Sequence, residues 1–282
     1  MTARAESDGR APGSADALLA ASGLPRLEAR ALLEAASGRD RSWLVGHGDE
    51  PLPPASVDRF LRLAALRRAG RPLAYLLGER EFRGRVFRVD DSVLIPRPET
   101  EGLVDWALEL RGPRVLDLGT GSGVIAISLA LERSDWAVVA VDASPAALAT
   151  ARANAAGLGA RVEWRQGDWW TALPTGSKYD LVVSNPPYIA AGDEHLGRGD
   201  LPHEPAMALV PGESGLEAIA AIVAGAPERL APGGWLLLEH GHDQAGAVAE
   251  LMRAAGLVDV TVRRDLAGLE RLCGGRRPDH RA

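Results

Sequence analysis

The sequence predicts an α/β chain in two parts: a small all-helical N-terminal region, then a larger region built on a mostly parallel sheet. Three observations predict it. Residues 15–80 are rich in Ala and Leu and repeat apolar positions at three- and four-residue spacing, the period of an amphipathic helix. Residues 81–95 switch to period two, the period of a half-buried strand. From residue 99 on, short aliphatic runs alternate with helical stretches. Such alternation gives parallel strands covered by helices on both faces.

Taken in order, "ADALLAASG" (15–23), "RLEARALLEAASG" (26–38) and "PASVDRFLRLAALRRAG" (54–70) each close on glycine, a common helix stop. They form the helical domain, 15–80. In "EFRGRVFRVDDSVLI" (81–95), Phe82, Val86, Phe87 and Val89 carry the alternation and Asp90-Asp91 is the turn candidate. The expectation is a β-hairpin linking two domains. "ETEGLVDWALEL" is an amphipathic helix that opens the second domain, 96–282. Strands are expected at 114–118, 137–141, 161–166, 179–184 and 234–240. Among the helices between them, "SPAALATARANAAGLG" has Ser144 as cap and Pro145 in its first turn. "LVDVTVRRDLAGLERLCGG" (257–275) holds two strand candidates with no helix between, which predicts an antiparallel hairpin at a sheet edge.

Bulk properties narrow the function classes. The chain has 282 residues, 46% hydrophobic and 25% charged, as in ordinary globular domains. No apolar run approaches the roughly 20 residues needed to span a bilayer. The N-terminus has no apolar core of a secretory signal, and residues 1–14 read as a disordered leader. Cys273 is the one cysteine, which excludes an internal disulfide and a cysteine-based zinc site; no metal is expected, and the cytoplasm is the simplest compartment. Net charge is −6. Residues 1–80 hold 12 arginines against 10 acidic residues, so the surplus there is +2 and the remainder carries −8. An acidic catalytic half does not suit stable nucleic-acid binding. A monomer is expected.

The segment "VLDLGTGSGVIAISLA" (115–130) joins a strand, a glycine-rich turn and a helix. Gly119, Gly121 and Gly123 permit a sharp turn and close approach to a ligand, with Thr120 and Ser122 between them. Asp117 stands at the strand's end, where a carboxylate meets a cation or a hydroxyl. The spacing is G-x-G-x-G, not the G-x-G-x-x-G of dinucleotide binders. Asp142 ends the next strand, 19 positions past Gly123, where an acidic residue accepts hydrogen bonds from ribose hydroxyls. "GDWW" (167–170) follows the third strand, and Asp168 with Trp169 can bracket an adenine ring. An NAD(P)-type site, or glycines serving only a tight turn, are the alternatives. Glycine loop, Asp142 and Asp168-Trp169 in register favour a different reading: the constellation resembles Rossmann-like, class I S-adenosylmethionine-dependent methyltransferases. That resemblance implies that Asp117 and residues 119–123 hold the methionine portion, Asp142 the ribose, and Asp168-Trp169 the adenine.

In such a fold the fourth strand ends at the cofactor's methyl group, and here it is "YDLVVSNPPY" (179–188). A planar, conjugated nitrogen is a poor nucleophile because its lone pair is delocalised. It needs to be held in line, with acceptors drawing on its two N–H groups. The Asn185 oxygen is one acceptor and the Pro186 carbonyl, stiffened by Pro186 and Pro187, the other. Tyr188 packs on the planar group. Asn185 through Tyr188 thus form the substrate-binding corner, with Asn185, Pro186 and Tyr188 expected to be catalytic and Asn185 also to border the cofactor. Adenine N6, guanine N2 and a glutamine side-chain amide all satisfy this chemistry.

Further segments carry a narrower resemblance. "RPLAYLLGEREF" (71–82), "VLIPRPETE" (93–101), "HEPAMALVPGESGL" (203–216), "LLLEHG" (236–241) and "RDLAGLER" (264–271) are similar to segments of the HemK/PrmC-type peptide-chain release factor glutamine methyltransferases. The resemblance spans about residues 20–275. It implies methyl transfer from S-adenosylmethionine, leaving S-adenosylhomocysteine, to the N5 amide of the glutamine in the Gly-Gly-Gln motif of class I release factors. The partner is then a protein, with residues 15–80 as its docking domain. A nucleic-acid N6-adenine or N2-guanine methyltransferase is the main rival, but it calls for a basic footprint or a target-recognition domain. A non-catalytic cofactor-binding protein does not need the Asn-Pro-Pro-Tyr corner. For Arg97, between two prolines, the sequence leaves three roles open: orienting the cofactor, orienting the loop, or bracing Glu99 or Glu101.

Overall fold

The structure, a computed structural model, describes residue 11 and residues 13–279. The chain divides after Gly78 into two compact units. Most of the expected leader, residues 1–10 and 12, lies outside the described residues. Its last residue is not free, however: Ser14 is buried and its hydroxyl accepts the Ala17 N–H at 3.3 Å.

Among its described residues, the first unit holds five helices: α1 (Ala15–Ala21), α2 (Arg26–Ser37), α3 (Arg41–Gly46), α4 (Pro54–Arg68) and α5 (Leu73–Leu77). Several boundaries have a local cause. Ser14 and Asp40 cap α1 and α3 through their side chains, and left-handed Gly38 and Gly78 end α2 and α5. The apolar faces close on Leu32, Leu33 and Phe60, all fully buried. Arg67 of α4 grips Glu28 of α2 with two N–H groups, at 2.6 and 3.1 Å. That pairing lowers the carboxyl's pKa.

The second unit opens with the hairpin of β1 (Glu79–Phe82) and β2 (Arg85–Arg88). Its reversal is at Arg83-Gly84, not at Asp90-Asp91. Both turn residues have positive φ, 51° and 69°, which matches the twist of a two-residue hairpin turn. The Arg83 N–H donates to Glu101 at 3.0 Å and the Gly84 N–H to Glu81 at 2.7 Å. Asp90 instead shapes the chain beyond β2 by accepting the Ser92 N–H at 2.9 Å.

There follow α6 (Glu99–Glu109), β3 (Arg114–Leu118), α7 (Val124–Glu132), β4 (Ala137–Asp142), α8 (Pro145–Leu158), β5 (Glu163–Gln166), β6 (Tyr179–Ser184), α9 (Glu217–Arg229), β7 (Leu230–Glu239), α10 (Ala245–Ala254), β8 (Val258–Arg264) and β9 (Glu270–Arg276). The sheet order is β5-β4-β3-β6-β7-β9-β8. The first five strands are parallel, and β9 runs antiparallel to both β7 and β8. The expected C-terminal hairpin is present, with β8 at the edge and β9 inserted beside β7. Apolar side chains fill both faces. Phe82, Phe87, Leu103, Trp106 and Ile127 lie in one core; Ile219, Ile222, Val248 and Met252 lie in the other.

From β3 the chain winds outward through β4 and β5, then returns to add β6 on the other side of β3. This reversal is the topological switch point of an open α/β sheet, where the strand ends leave a crevice for a ligand.

Candidate functional site

The loop between β3 and α7 lies on one side of that crevice. Gly119 and Thr120 donate their N–H groups to the Val141 carbonyl, at 2.9 and 3.0 Å, which pins the loop to β4. Gly119 has φ +72°, and a Cβ there would lie 3.1 Å from the Trp169 ring. At Gly123 (φ +86°) a Cβ would lie 2.8 Å from Ile127 and 3.2 Å from Ala151, so glycine lets α7 start hard against α8. Asn154 of α8 braces the loop from behind. Its amide donates to the Ser122 and Arg88 carbonyls at 2.9 and 3.0 Å and accepts the Arg88 N–H at 2.7 Å.

A cavity of about 460 Å³ opens over the loop, within the range of small-molecule sites. Gly119, Thr120, Gly121, Ser122, Asp142, Asp168, Trp169, Asn185 and Pro187 line it. Asp142 is partly exposed. Its two oxygens accept the Gly121 and Ser144 N–H groups at 2.8 and 2.9 Å, and burial raises its pKa against those bonds. Trp169 stands at φ 42°, one of three described non-glycine residues with positive φ. Such a position is strained for a bulky residue. Here it lays the indole beside Gly119.

Four of the expected residues do not line the cavity: Asp117, Gly123, Pro186 and Tyr188. Asp117 is fully buried. Its Oδ2 accepts from the Thr120 hydroxyl at 2.6 Å and the Ala126 N–H at 3.2 Å, while Oδ1 has no partner. Burial pushes its pKa up to about 7. The side chain turns beneath the loop because Thr120 and the start of α7 offer it donors there.

The corner after β6 closes the opposite side. The Ser184 hydroxyl donates to the Leu118 carbonyl at 2.6 Å, tying the ends of β3 and β6 together. The Asn185 Nδ2 donates to Thr100 Oγ1 at 3.0 Å. Thr100 Oγ1 donates to Glu239 Oε2 at 2.7 Å, and the Tyr188 hydroxyl donates to Glu239 Oε1 at 3.2 Å. Thr100 and Glu239 are both buried. Burial pushes the Glu239 carboxyl up to about 7. Burial, followed by the Glu239 charge, raises the Tyr188 pKa as well, so its hydroxyl stays a donor.

Arg97, whose role the sequence left open, and several residues to which it gave no role complete the walls. Arg97 pairs with Glu204, whose other oxygen accepts the Ile95 N–H at 3.0 Å. The Glu204 side chain is fully buried, so the Pro-Arg-Pro segment is clamped to the loop after the corner rather than to Glu99 or Glu101. Pro205, Met207 and Val210 of that loop line the cavity. The loop is held by the Ile189 and Ala191 N–H groups on the Leu209 and Gly212 carbonyls, at 2.9 and 2.8 Å, and by Gln244 on the Tyr188 carbonyl at 3.0 Å. Glu239 had a signal in the sequence: a carboxylate inside the apolar run "WLLLEH". Thr100 had none.

A seven-stranded sheet with its glycine loop, acidic strand end and proline corner at the switch point defines a methyltransferase of the Rossmann-like class. The comparisons agree. Residues 100–198 match the Methyltransferase small domain and residues 14–78 the PrmC N-terminal domain. A crystal structure of a methyltransferase from Pyrococcus furiosus shares the fold at TM-score 0.53, with 16% identity, covering 68% of this chain and 88% of that one. The release factor glutamine methyltransferase of Bordetella pertussis is 56% identical over 92% of this chain and 97% of its own length. That of Burkholderia pseudomallei is 51% identical over 95% and 97%. The chain belongs to the release factor glutamine methyltransferase family.

Among the described residues, no helix is long and apolar enough to cross a membrane, and no group of three or more His, Cys, Asp or Glu side chains is placed to hold a metal ion.

Proposed function

We propose that this enzyme methylates the N5 amide nitrogen of the glutamine in the Gly-Gly-Gln motif of class I peptide-chain release factors, with the Asn185–Tyr188 corner as its acceptor site. Family membership makes the chain a protein-glutamine N5 methyltransferase acting on a release factor. The observation that carries the site assignment is the Asn185 amide, held at the cavity wall by a buried hydroxyl.

The cavity fits S-adenosylmethionine. Asp142 presents a carboxylate at the wall with lone pairs beyond its two backbone bonds, suited to ribose hydroxyls. Trp169 offers a flat apolar face for adenine. Asp117 Oδ1, buried and unpartnered, sets a carboxylate beneath the loop, where it favours a cationic ligand through its field rather than by contact. When bound, the cofactor supplies a methyl group on a sulfonium and leaves as S-adenosylhomocysteine.

At the acceptor, Asn185 Oδ1 and the Pro186 carbonyl take the two N–H groups of the glutamine amide, which turns the nitrogen lone pair toward the cofactor side of the cavity. As that nitrogen gains positive charge, both acceptors stabilise it. The methylated nitrogen is strongly acidic and gives one proton to solvent, so the corner needs no general base.

The first unit is the docking surface for the release factor. Between the exposed arginines Arg59 and Arg62, α4 exposes Leu61 to 50%, and Leu66 further along to 47%. Apolar side chains among cations suit an acidic protein partner.

The test offers labelled S-adenosylmethionine with release factor, total RNA or DNA in separate reactions. Label is expected in the release factor alone, and mass spectrometry should place one methyl on the Gly-Gly-Gln glutamine. Label in RNA or DNA, or on another residue, would overturn the reading.

A further inference from the structure

We propose that Glu239, acting through Thr100, decides which way round the Asn185 amide stands, and so is a positioning residue for methyl transfer. The inference rests on the acceptor role of Asn185 given above. An asparagine amide is nearly symmetrical in shape, but turning it over replaces an acceptor with a donor. A reversed Asn185 would present N–H to a substrate N–H.

The buried chain prevents that reversal. An ionised carboxylate only accepts, and a threonine hydroxyl has one hydrogen. With Glu239 Oε2 at 2.7 Å, the Thr100 hydrogen is committed to it. Thr100 Oγ1 then faces Asn185 with lone pairs alone, and only Nδ2–H satisfies them, at 3.0 Å. The Asn185 oxygen is thereby left to the substrate. Tyr188, on the far side of the proline pair, donates to the other oxygen of the same carboxylate at 3.2 Å. One buried charge on β7 therefore polarises both ends of the corner, through a hydroxyl from the first turn of α6.

Several groups face Glu239. Thr100 and Glu99 come from α6, Tyr188 from the corner and Arg271 from β9, with His240 next along the chain. Burial dominates and places the carboxyl at about 7. Once protonated, Glu239 has a hydrogen of its own to donate. The Thr100 hydroxyl is then free to turn toward Asn185 and the amide loses its fixed sense. Turnover should therefore fall as pH drops through about 7.

The test compares Thr100→Val, Thr100→Ser and Glu239→Gln with Asn185→Ala in the full-length protein. It reads kcat against pH, KM for release factor, cofactor Kd by calorimetry and Tm. Thr100→Val should lower kcat about 10–100-fold, the scale of a misplaced reacting group, with a smaller change in cofactor Kd. Thr100→Ser, which restores the hydroxyl, should return kcat to near wild type. Glu239→Gln cannot ionise and should lose the acid limb near pH 7. Asp117 lies in the same range under the other wall, so the limb that counts is the part Glu239→Gln removes. Wild-type kcat in Thr100→Val, or a wild-type limb in Glu239→Gln, overturns the inference, as does a fall in Tm with kcat unchanged. If Thr100→Val does not fold, the Glu239→Gln profile and Thr100→Ser turnover decide alone. Full activity in Asn185→Ala would instead sink the acceptor assignment itself.

Discussion

On one side of the cavity, glycine stands at every second position of residues 119–123, and the Gly119, Thr120, Gly121 and Gly123 N–H groups are bonded within the fold. On the other, residues 185–188 offer an amide whose direction is set by Thr100 and, through it, by Glu239. Both walls rest on a buried carboxylate whose pKa is pushed up to about 7 by burial. Their hydrogen bonding differs. Asp117 is bonded through Oδ2 alone; Glu239 is bonded through both oxygens, to side chains from two other elements. The carboxylate under the glycine loop thus finds its partners nearby in the chain, whereas the one behind the corner needs α6 and β7 to be in place first. Substitutions should separate the walls accordingly: one wall should govern cofactor affinity, the other turnover.

The largest separation is expected at Asn185. Asn185→Ala should cut kcat by about 100- to 1,000-fold, as loss of one preorganised charge-stabilising group does, while calorimetry shows cofactor Kd nearly unchanged. A folded Asn185→Ala protein with near-normal turnover would remove the functional difference between the walls.

Asp142→Ala is the converse. Losing hydrogen bonds from a charged acceptor costs about 1.5–3 kcal/mol, so cofactor Kd should rise roughly 10- to 100-fold by the same conversion. At saturating cofactor, kcat should stay close to wild type. Unchanged affinity would mean that the ribose is held elsewhere.

Gly119→Ala probes the loop's geometry. A left-handed alanine costs roughly 1–2 kcal/mol, and its Cβ would sit 3.1 Å from the Trp169 ring. The indole must then shift off the loop. Tm and cofactor affinity should both fall, by less than in Asp142→Ala for the affinity.

The two walls also differ in how far the sequence disclosed them. The glycine loop, Asp142 and Trp169 follow one another at strand ends within about 55 residues of chain, and each carries its own signal in spacing or residue type. The Asn-Pro-Pro-Tyr corner was equally legible as a motif. Its support was not: Thr100 and Glu239 lie 139 positions apart, and neither has a partner until α6 and β7 pack. Arg97 and Glu204 are likewise 107 positions apart, so spacing cannot pair them. The hairpin turn was misplaced because Asp90-Asp91 is a strong turn pair by composition. Arg83 at φ 51° instead relies on Glu101 of α6 to hold its N–H, a tertiary contact that overrides local preference. Asp117 was expected to touch a ligand because a strand-end carboxylate often does; here Thr120 and the α7 backbone capture it.

The buried carboxylates give a stability comparison with a defined sign. Asp117 takes protons at about 7 when folded and at about 3.8 when unfolded. Between those values the native state binds more protons, so its contribution to stability falls as pH rises through the window. Asp117→Asn should flatten the dependence between pH 5 and 8, by at most roughly 3 kcal/mol for the two units of that window below about 7. Denaturant melts of the cofactor-free protein at both pH values would measure it. A slope as steep as wild type would place the proton uptake elsewhere, with Glu239 as the next group to test.

The smallest effect should come from α4, in the other unit, and it sharpens the contrast by moving neither wall's parameter. Arg59 and Arg62 are exposed, so neither holds the helical core together, and Leu32, Leu33 and Phe60 remain to do so. Exposed charge contacts contribute about 0.2–1 kcal/mol each. Replacing both arginines by alanine should therefore raise KM for the release factor roughly three- to tenfold. A contact made only in docking counts equally in ground state and transition state, and uniform binding alters KM without kcat. Added salt should weaken the wild type toward the variant, since exposed charges are screened within about 8–10 Å at physiological ionic strength. Steady-state kinetics at two salt concentrations, with cofactor Kd measured in parallel, would check all three quantities. An unchanged KM would remove α4 from the docking surface, while a lower kcat would mean that the helix acts on the chemistry itself.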